Sequence, residues 1–187
     1  MGTFVDNLHV HGKSETEVTA ALRPILRSQA FVASSGDRWV TVCPDGDLDR
    51  DAIAEQVSKA LSTSVLAATV HDSDVFVYTL YENGEPVDTY VSDPDYFADV
   101  DDDVDPADLD ADGDTDKLAA LALSSTTSAE IRAELDREEL FAEYTLARVA
   151  KLLGIDERCA LASMRYMDED AVNPGGPSFT LVSPEIR

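Results

Sequence analysis

Residues 65–91 read VLAATVHDSDVFVYTLYENGEPVDTYV, and this stretch decides the fold class. Residues 65–70 and 75–81 are apolar at odd and even positions alike, which is typical of strands buried on both faces of a sheet. Asn83-Gly84 then predicts a tight hairpin turn, because both central residues of a type I′ turn need a positive φ. Residues 87–91 supply the return strand. The stretch therefore predicts a hairpin inside a sheet.

Upstream of this stretch, strand and helix patterns alternate. The expected elements, in chain order, are a strand at 3–11, a helix opened by the capping box Ser14-x-x-Glu17, strands at 30–34 and 38–43, and a helix capped by Asp49 or Asp51. Pro24 falls inside the first helical run and predicts either a kink there or a helix in two pieces. The order β-α-β-β-α-β through residue 70 predicts an α+β fold with a ferredoxin-like (split βαβ) antiparallel sheet, which the hairpin extends.

Downstream, the chain turns helical. The expected elements are a helix at 117–123, one opened by the capping box Thr127-x-x-Glu130, one at 137–153 that ends at Gly154, and strands at 160–167 and 178–182 that rejoin the sheet. The predicted organisation is an α+β sheet domain at 1–97, an acidic loop or linker at 98–116, and a helical C-terminal half at 117–187 that belongs to the same domain.

Charge is the strongest compositional signal. The formal net charge is −24 and the pI is about 4.1. Residues 93–116 carry 12 aspartates and no lysine or arginine, so half of the net charge lies in one short segment. Such a chain repels nucleic acid and anionic membranes, which excludes both as expected partners. Its natural counterparts are a basic protein or a cation.

The acidity has a second interpretation. Aspartate outnumbers glutamate 25 to 13, and four lysines stand against ten arginines. Surfaces rich in aspartate and poor in lysine are typical of salt-adapted proteins, in which concentrated salt screens the self-repulsion. The charge therefore predicts either a binding device or a halophilic adaptation.

The absence of targeting signals and the two distant cysteines both predict a cytoplasmic location. The sequence contains no run of 18 apolar residues, so no transmembrane helix is expected. The first residues lack the basic patch and the apolar run of a signal peptide. Cys43 and Cys159 lie far apart, which argues against a disulfide framework and predicts two buried, inert thiols. These features predict a cytoplasmic protein.

A calcium site is one hypothesis for the acidic segment. Carboxylates recur there at alternate positions: Asp108, Asp110, Asp112 and Asp114. The first three match positions 1, 3 and 5 of a calcium loop, and Gly113 matches the glycine at position 6. Position 12 needs a bidentate glutamate, but Ala119 stands there. The alternative is a solvated acidic linker.

The three histidines suggest a second metal hypothesis. His9 and His11 lie two residues apart on the first strand, so both rings point the same way. With His71, and with Asp72 or Asp74, they could hold zinc or iron. The alternative is that they are ordinary strand residues.

Aromatic residues are concentrated around the hairpin. Tyr78, Tyr81 and Tyr90 could present a partner-binding face. The alternative is cross-strand packing, which is the commoner role of strand aromatics.

Several segments resemble a recurrent pattern in uncharacterised bacterial and archaeal proteins of similar length. These segments are HDSDV at 71–75, LYENG at 80–84, VD at 87–88, SDPDYF at 92–97 and LLGI at 152–155. The resemblance covers about half of the chain. It implies a small stand-alone protein built on a hairpin-centred sheet, and it implies no activity, cofactor or site residue.

The sequence shows no phosphate-binding loop, nucleophile elbow or zinc-ribbon cysteines. The working hypothesis is a non-enzymatic acidic module that binds and neutralises a basic protein partner, as an immunity protein does. The alternatives are a calcium- or metal-binding module, a salt-adapted protein whose charge has no partner, and a hydrolase with a site that the sequence does not reveal.

Overall fold

The computed structural model describes residues 2–46, 48–96, 109–167 and 177–185. Within these ranges seven strands form one antiparallel sheet with the order β6-β5-β4-β1-β3-β2-β7. The strands are β1 (Val5–His11), β2 (Ala30–Ser35), β3 (Trp39–Pro44), β4 (Ser64–His71), β5 (Val75–Glu82), β6 (Glu85–Val91) and β7 (Thr180–Val182). The α-helices are α1 (Glu15–Leu22), α2 (Arg50–Leu61), α3 (Thr115–Leu121), α4 (Ser128–Leu135), α5 (Ala142–Leu153) and α6 (Glu157–Ala160). The predicted α+β class is confirmed.

The first half of the chain builds the centre of the sheet. β1 lies between β3 and β4, with Leu8 opposite Val42 and Val5 opposite Val70. The predicted capping box at Ser14 forms, and Asp49 caps α2 by accepting from the Ala52 N–H. α1 ends at Leu22 and does not continue through Pro24 as a kinked helix, because proline has no N–H to donate to the preceding turn and its ring clashes with the carbonyl four residues earlier.

The hairpin of β5 and β6 forms at the predicted turn. Asn83 has φ 53° and Gly84 has φ 89°, the two positive values that a type I′ turn needs. A register shift between Leu80 and Tyr81 marks an irregularity in the β5–β6 pairing. β6 forms one edge of the sheet, and β7, paired to β2, forms the other.

Two expected elements of the second half differ from the prediction. The longest helix of this half begins at Ala142 and not at residue 137, because residues 136–141 form an exposed connection from α4. Residues 160–167 are not a strand: α6 ends there and a single 3₁₀ turn follows at Met164–Tyr166. The buried Asn7 amide holds this segment by donating to the carbonyls of Ala160 and Ala162. The strand expected at 178–182 is present as β7.

Both faces of the sheet are covered by helices. On one face α1 and α2 bury a core that includes Leu8, Val40 and Val57. On the other face, the C-terminal helices bury a core that includes Trp39 and Phe76. The strand residues alternate between the two cores, which explains why the central strands read as continuous apolar runs.

Among the residues described, no helix has both the length and the apolar character that crossing a membrane requires.

Candidate functional site

The three tyrosines predicted to bind a partner are buried. Tyr78 is 0% exposed, Tyr90 3% and Tyr81 8%. Tyr78 and Tyr90 stack with ring centroids 5.5 Å apart beneath the C-terminal helices, and the Tyr78 hydroxyl donates to Asp88. Tyr81 faces the opposite core and donates to Asp51. The predicted partner-binding face is therefore interior packing, because helices cover both sides of the sheet.

The described part of the predicted calcium loop folds back onto β6. Asp108 lies outside the described residues. Asp110 accepts from the N–H groups of Asp112 and Gly113, and its carbonyl accepts from Val91. Asp114 caps α3 and pairs with Lys117 at 3.3 Å. Two of these carboxylates thus hold the local backbone in place.

The three histidines do not come together. His9 and His11 share one face of β1, as predicted, and His9 is fully buried with its Nδ1 2.9 Å from the Thr41 hydroxyl. Val70 of β4 pairs with Val5 and so lies on the same face of the sheet as His9 and His11. His71, the next residue, points to the opposite face, where it contacts Tyr96. Among the described residues no group of three or more His, Cys, Asp or Glu side chains could hold a metal ion.

Both thiols are buried, as predicted. Burial raises the pKa of Cys43 and of Cys159, so the reactive thiolate is disfavoured at both positions. Neither thiol is suited to nucleophilic attack.

One cleft of about 760 Å³ opens where β1 begins and β3 and β4 end, and it gathers charged groups that the sequence analysis did not single out. We call it the arginine cleft, for Arg50, which bonds Asp6 at 3.1 Å and Asp51 at 2.7 Å. Burial raises the pKa of Asp6, while Arg50 opposes that shift. Arg165 lies over the Phe4 ring at the rim, 4.5 Å from its centroid. Two carboxylates therefore already occupy the Arg50 guanidinium, whereas the Arg165 guanidinium stacks on an aromatic ring.

A second cleft, of about 590 Å³, lies between the start of β5, the end of β6 and the connection from α4 to α5. We call it the acidic cleft, for its charged lining residues Asp74, Asp93, Asp136, Arg137, Glu138 and Glu139. The lining carries five carboxylates and a single arginine, and two of the carboxylates, Asp136 and Glu139, pair with Arg132 and Arg148 from outside the lining.

The floor of the acidic cleft is fixed by hydrogen bonds between separate elements. The Tyr90 hydroxyl donates to the Leu135 carbonyl at 3.1 Å, which ties the end of α4 to β6. The Ala142 N–H donates to the Ser73 carbonyl at 2.8 Å, which ties the start of α5 to the β4–β5 turn. Burial raises the pKa of Tyr90 to about 12, so its hydroxyl stays a donor at neutral pH.

A neutral ion-pair network supports one wall of the acidic cleft. Arg148 of α5 bonds Glu134 at 2.6 Å and Glu139 at 2.9 Å, and Arg137 pairs with the same two glutamates. Each of these four side chains is at least partly shielded from solvent, and ion pairs that form a network stabilise a surface more reliably than isolated exposed pairs. The connection from α4 to α5 is therefore held in one position.

The sequence alone does not reveal this cleft. Its carboxylates come from three segments, around Asp74, Asp93 and residues 136–139, whose proximity depends on the order of the strands and on the packing of α4 and α5. A sequence signal existed only for the last segment, where acidic residues interrupt the expected helix.

No family model, no curated protein and no solved structure matches this chain. The resemblance to uncharacterised bacterial and archaeal proteins therefore stays a prediction.

Proposed function

We propose that the chain is a non-enzymatic protein-binding module that receives a basic protein partner at the acidic cleft. The observation that carries the proposal is the concentration of five carboxylates, against a single lining arginine, in one concave surface. Complementary charge speeds encounter between proteins and sets their orientation. Binding of this kind would neutralise the partner's basic surface, as an immunity protein does.

The whole molecule supports the same partner chemistry. With a net charge of −24, the chain attracts cationic surfaces from a distance and repels anionic ones. The cleft then supplies what a diffuse charge lacks, namely a defined place. Its walls are tied to the sheet through Tyr90 and Ser73, so the carboxylates need little reorganisation on binding.

We also propose that the first four strands and two helices are a ferredoxin-like core. The supporting observation is the order β4-β1-β3-β2 within the antiparallel sheet, together with the chain order β-α-β-β-α-β. The C-terminal helices would then cover the sheet face that a two-layer split βαβ domain leaves open.

The proposal is tested by removing charge in the cleft and, as a matched control, elsewhere. The cleft variant combines Asp93→Asn, Asp136→Asn and Glu138→Gln. The control combines Asp37→Asn, Glu55→Gln and Glu85→Gln, which are exposed residues outside the cleft. The probe is a short peptide rich in lysine and arginine, and its affinity is measured by calorimetry at low and high salt.

We expect the cleft variant to bind the peptide roughly tenfold more weakly at low salt, and the control to lose much less. The wild-type affinity should fall as salt is added, because the Debye length shrinks from about 30 Å at 0.01 M to about 3 Å at 1 M. Equal losses in both variants would contradict the proposal and would favour a diffuse, salt-adapted surface.

A further inference from the structure

We infer that Leu140, Phe141 and Tyr144 form the apolar half of the docking surface, so that the partner segment combines cationic side chains with a bulky apolar one. This inference rests on the proposed function, because it names the chemistry of the partner that the acidic cleft receives. We call these three side chains the apolar ridge.

The side chains of the apolar ridge are exposed to solvent and do not belong to the core. Leu140 is 81% exposed, Tyr144 51% and Phe141 41%. They fall within five consecutive residues, and the Phe141 and Tyr144 rings meet edge to face with centroids 5.8 Å apart. Exposed apolar side chains that cluster in this way are typical of interaction sites, whereas scattered ones need no explanation.

The unusual N-cap of α5 also favours a binding role for the apolar ridge. Phe141 occupies the N-cap of α5 and makes no side-chain capping bond. The other described α-helices are capped by a side chain of Ser14, Asp49, Asp114, Thr127 or Asp156. A phenylalanine side chain has no oxygen to offer the first backbone N–H groups of a helix, so this N-cap departs from the local rule that the other helices named here follow. Departures of this kind concentrate at functional sites.

The apolar ridge adjoins the acidic cleft and shares its support. Glu138 and Glu139, which line the cleft, directly precede Leu140, and Ala142, which also lines it, follows Phe141. The Glu143 side chain accepts from the Ser73 hydroxyl at 3.2 Å, which fixes the first turn of α5 beneath the ridge. Apolar and acidic contacts are therefore presented side by side on one rigid surface.

Charge decides what occupies this surface. A second copy of the chain would bring two strongly negative clefts together, and anionic lipid or nucleic acid would meet the same repulsion. A segment with lysine or arginine placed in the cleft and an aromatic or aliphatic side chain on the ridge satisfies both halves. The faces of Phe141 and Tyr144 also attract cations directly.

The experiment compares two peptides that differ only in their apolar anchor. One is a short lysine- and arginine-rich peptide with a single tryptophan, and the other carries serine in place of the tryptophan. Both are titrated into the wild-type chain and into Leu140→Gln, Phe141→Ser and Tyr144→Gln. Leu181→Gln is the matched control, because Leu181 is a 38% exposed leucine on the edge strand β7, outside both surfaces.

We expect the tryptophan peptide to bind the wild-type chain and the Leu181→Gln control about tenfold more tightly than the serine peptide. The ridge variants should lose that preference while keeping the salt-dependent binding of the serine peptide. A preference that survives in all three ridge variants would overturn the inference and leave the proposed function standing. Absence of salt-dependent binding of either peptide would overturn the proposed function itself. Self-association of the wild-type chain that the ridge variants abolish would assign the ridge to a second copy.

Discussion

At the scale of single residues, burial decides which polar groups can act. His9 is the clearest case, because it is fully buried and hydrogen-bonded only through Nδ1, to Thr41. Burial lowers its pKa to about 3, so it stays neutral in the folded chain through the physiological range. The sequence presents His9 and His11 as a potential ligand pair, but side-chain burial depends on the covering helices and cannot be read from strand alternation.

His9 should make the fold sensitive to acid. The unfolded chain protonates this histidine near pH 6.5, whereas the folded chain does so only near pH 3, so the unfolded state binds more protons between these values. Stability due to His9 is therefore full above pH 6.5 and is lost as the pH falls. Between pH 7 and pH 5 the expected loss is about 2 kcal/mol in the free energy of unfolding.

Urea unfolding at pH 7 and pH 5 checks this prediction. His9→Gln should reduce the pH-dependent loss, whatever it does to stability at neutral pH. His71→Gln, at the exposed end of β4, is the control and should keep the full loss. An unchanged pH dependence in His9→Gln would assign the acid sensitivity to other groups.

At the scale of elements, sequence rules succeeded wherever the cause was local. The capping boxes at Ser14 and Thr127, the turn at Asn83-Gly84 and the stop at Gly154 all form as predicted, because each depends on a few neighbouring residues. They failed where tertiary contacts decide. Residues 160–167 have strand-like composition, yet Asn7 holds them in an irregular path.

The start of α5 yields a prediction about stability. Replacing Phe141 with serine supplies the missing capping oxygen, which should stabilise the chain by about 1 kcal/mol. Thermal unfolding of Phe141→Ser would show the gain, and Thr127→Ala, which removes a formed cap, should show a loss of similar size. If Phe141→Ser is the less stable chain, then the ring packs for stability and its position needs no functional explanation.

At the scale of the whole molecule, acidic residues that are distant in the sequence come together in one cleft. Net charge is read directly from composition, and electrostatics predicts cationic partners for it. The acidic cleft could not be predicted in the same way, since Asp74 and Asp93 meet residues 136–139 only after the sheet and the helices have assembled. The buried tyrosines were misplaced for the same reason.

The overall charge also predicts how the fold responds to salt. Thirty-eight acidic residues against 14 basic ones repel one another in the compact state, so screening should raise the unfolding temperature. We expect a rise of several degrees between dilute buffer and about 1 M KCl, measured by calorimetry. Sucrose is the control, because it stabilises folded proteins by exclusion from their surface and does not screen charge. A rise in KCl that exceeds the rise in sucrose is therefore due to screening. A flat response to KCl would show that repulsion does not limit stability.

The centre of the sheet and its β7 edge are synthesised at different times. β1 is synthesised first and lies in the centre, where β3 and β4 reach it soon afterwards. β7 is the last strand described and has three residues, yet it alone pairs with the outer side of β2. Until the ribosome has released that strand, β2 presents an open, apolar edge to any neighbouring nascent chain. The short strand thus sets the moment at which residues 30–32 of β2 are covered against pairing with another chain.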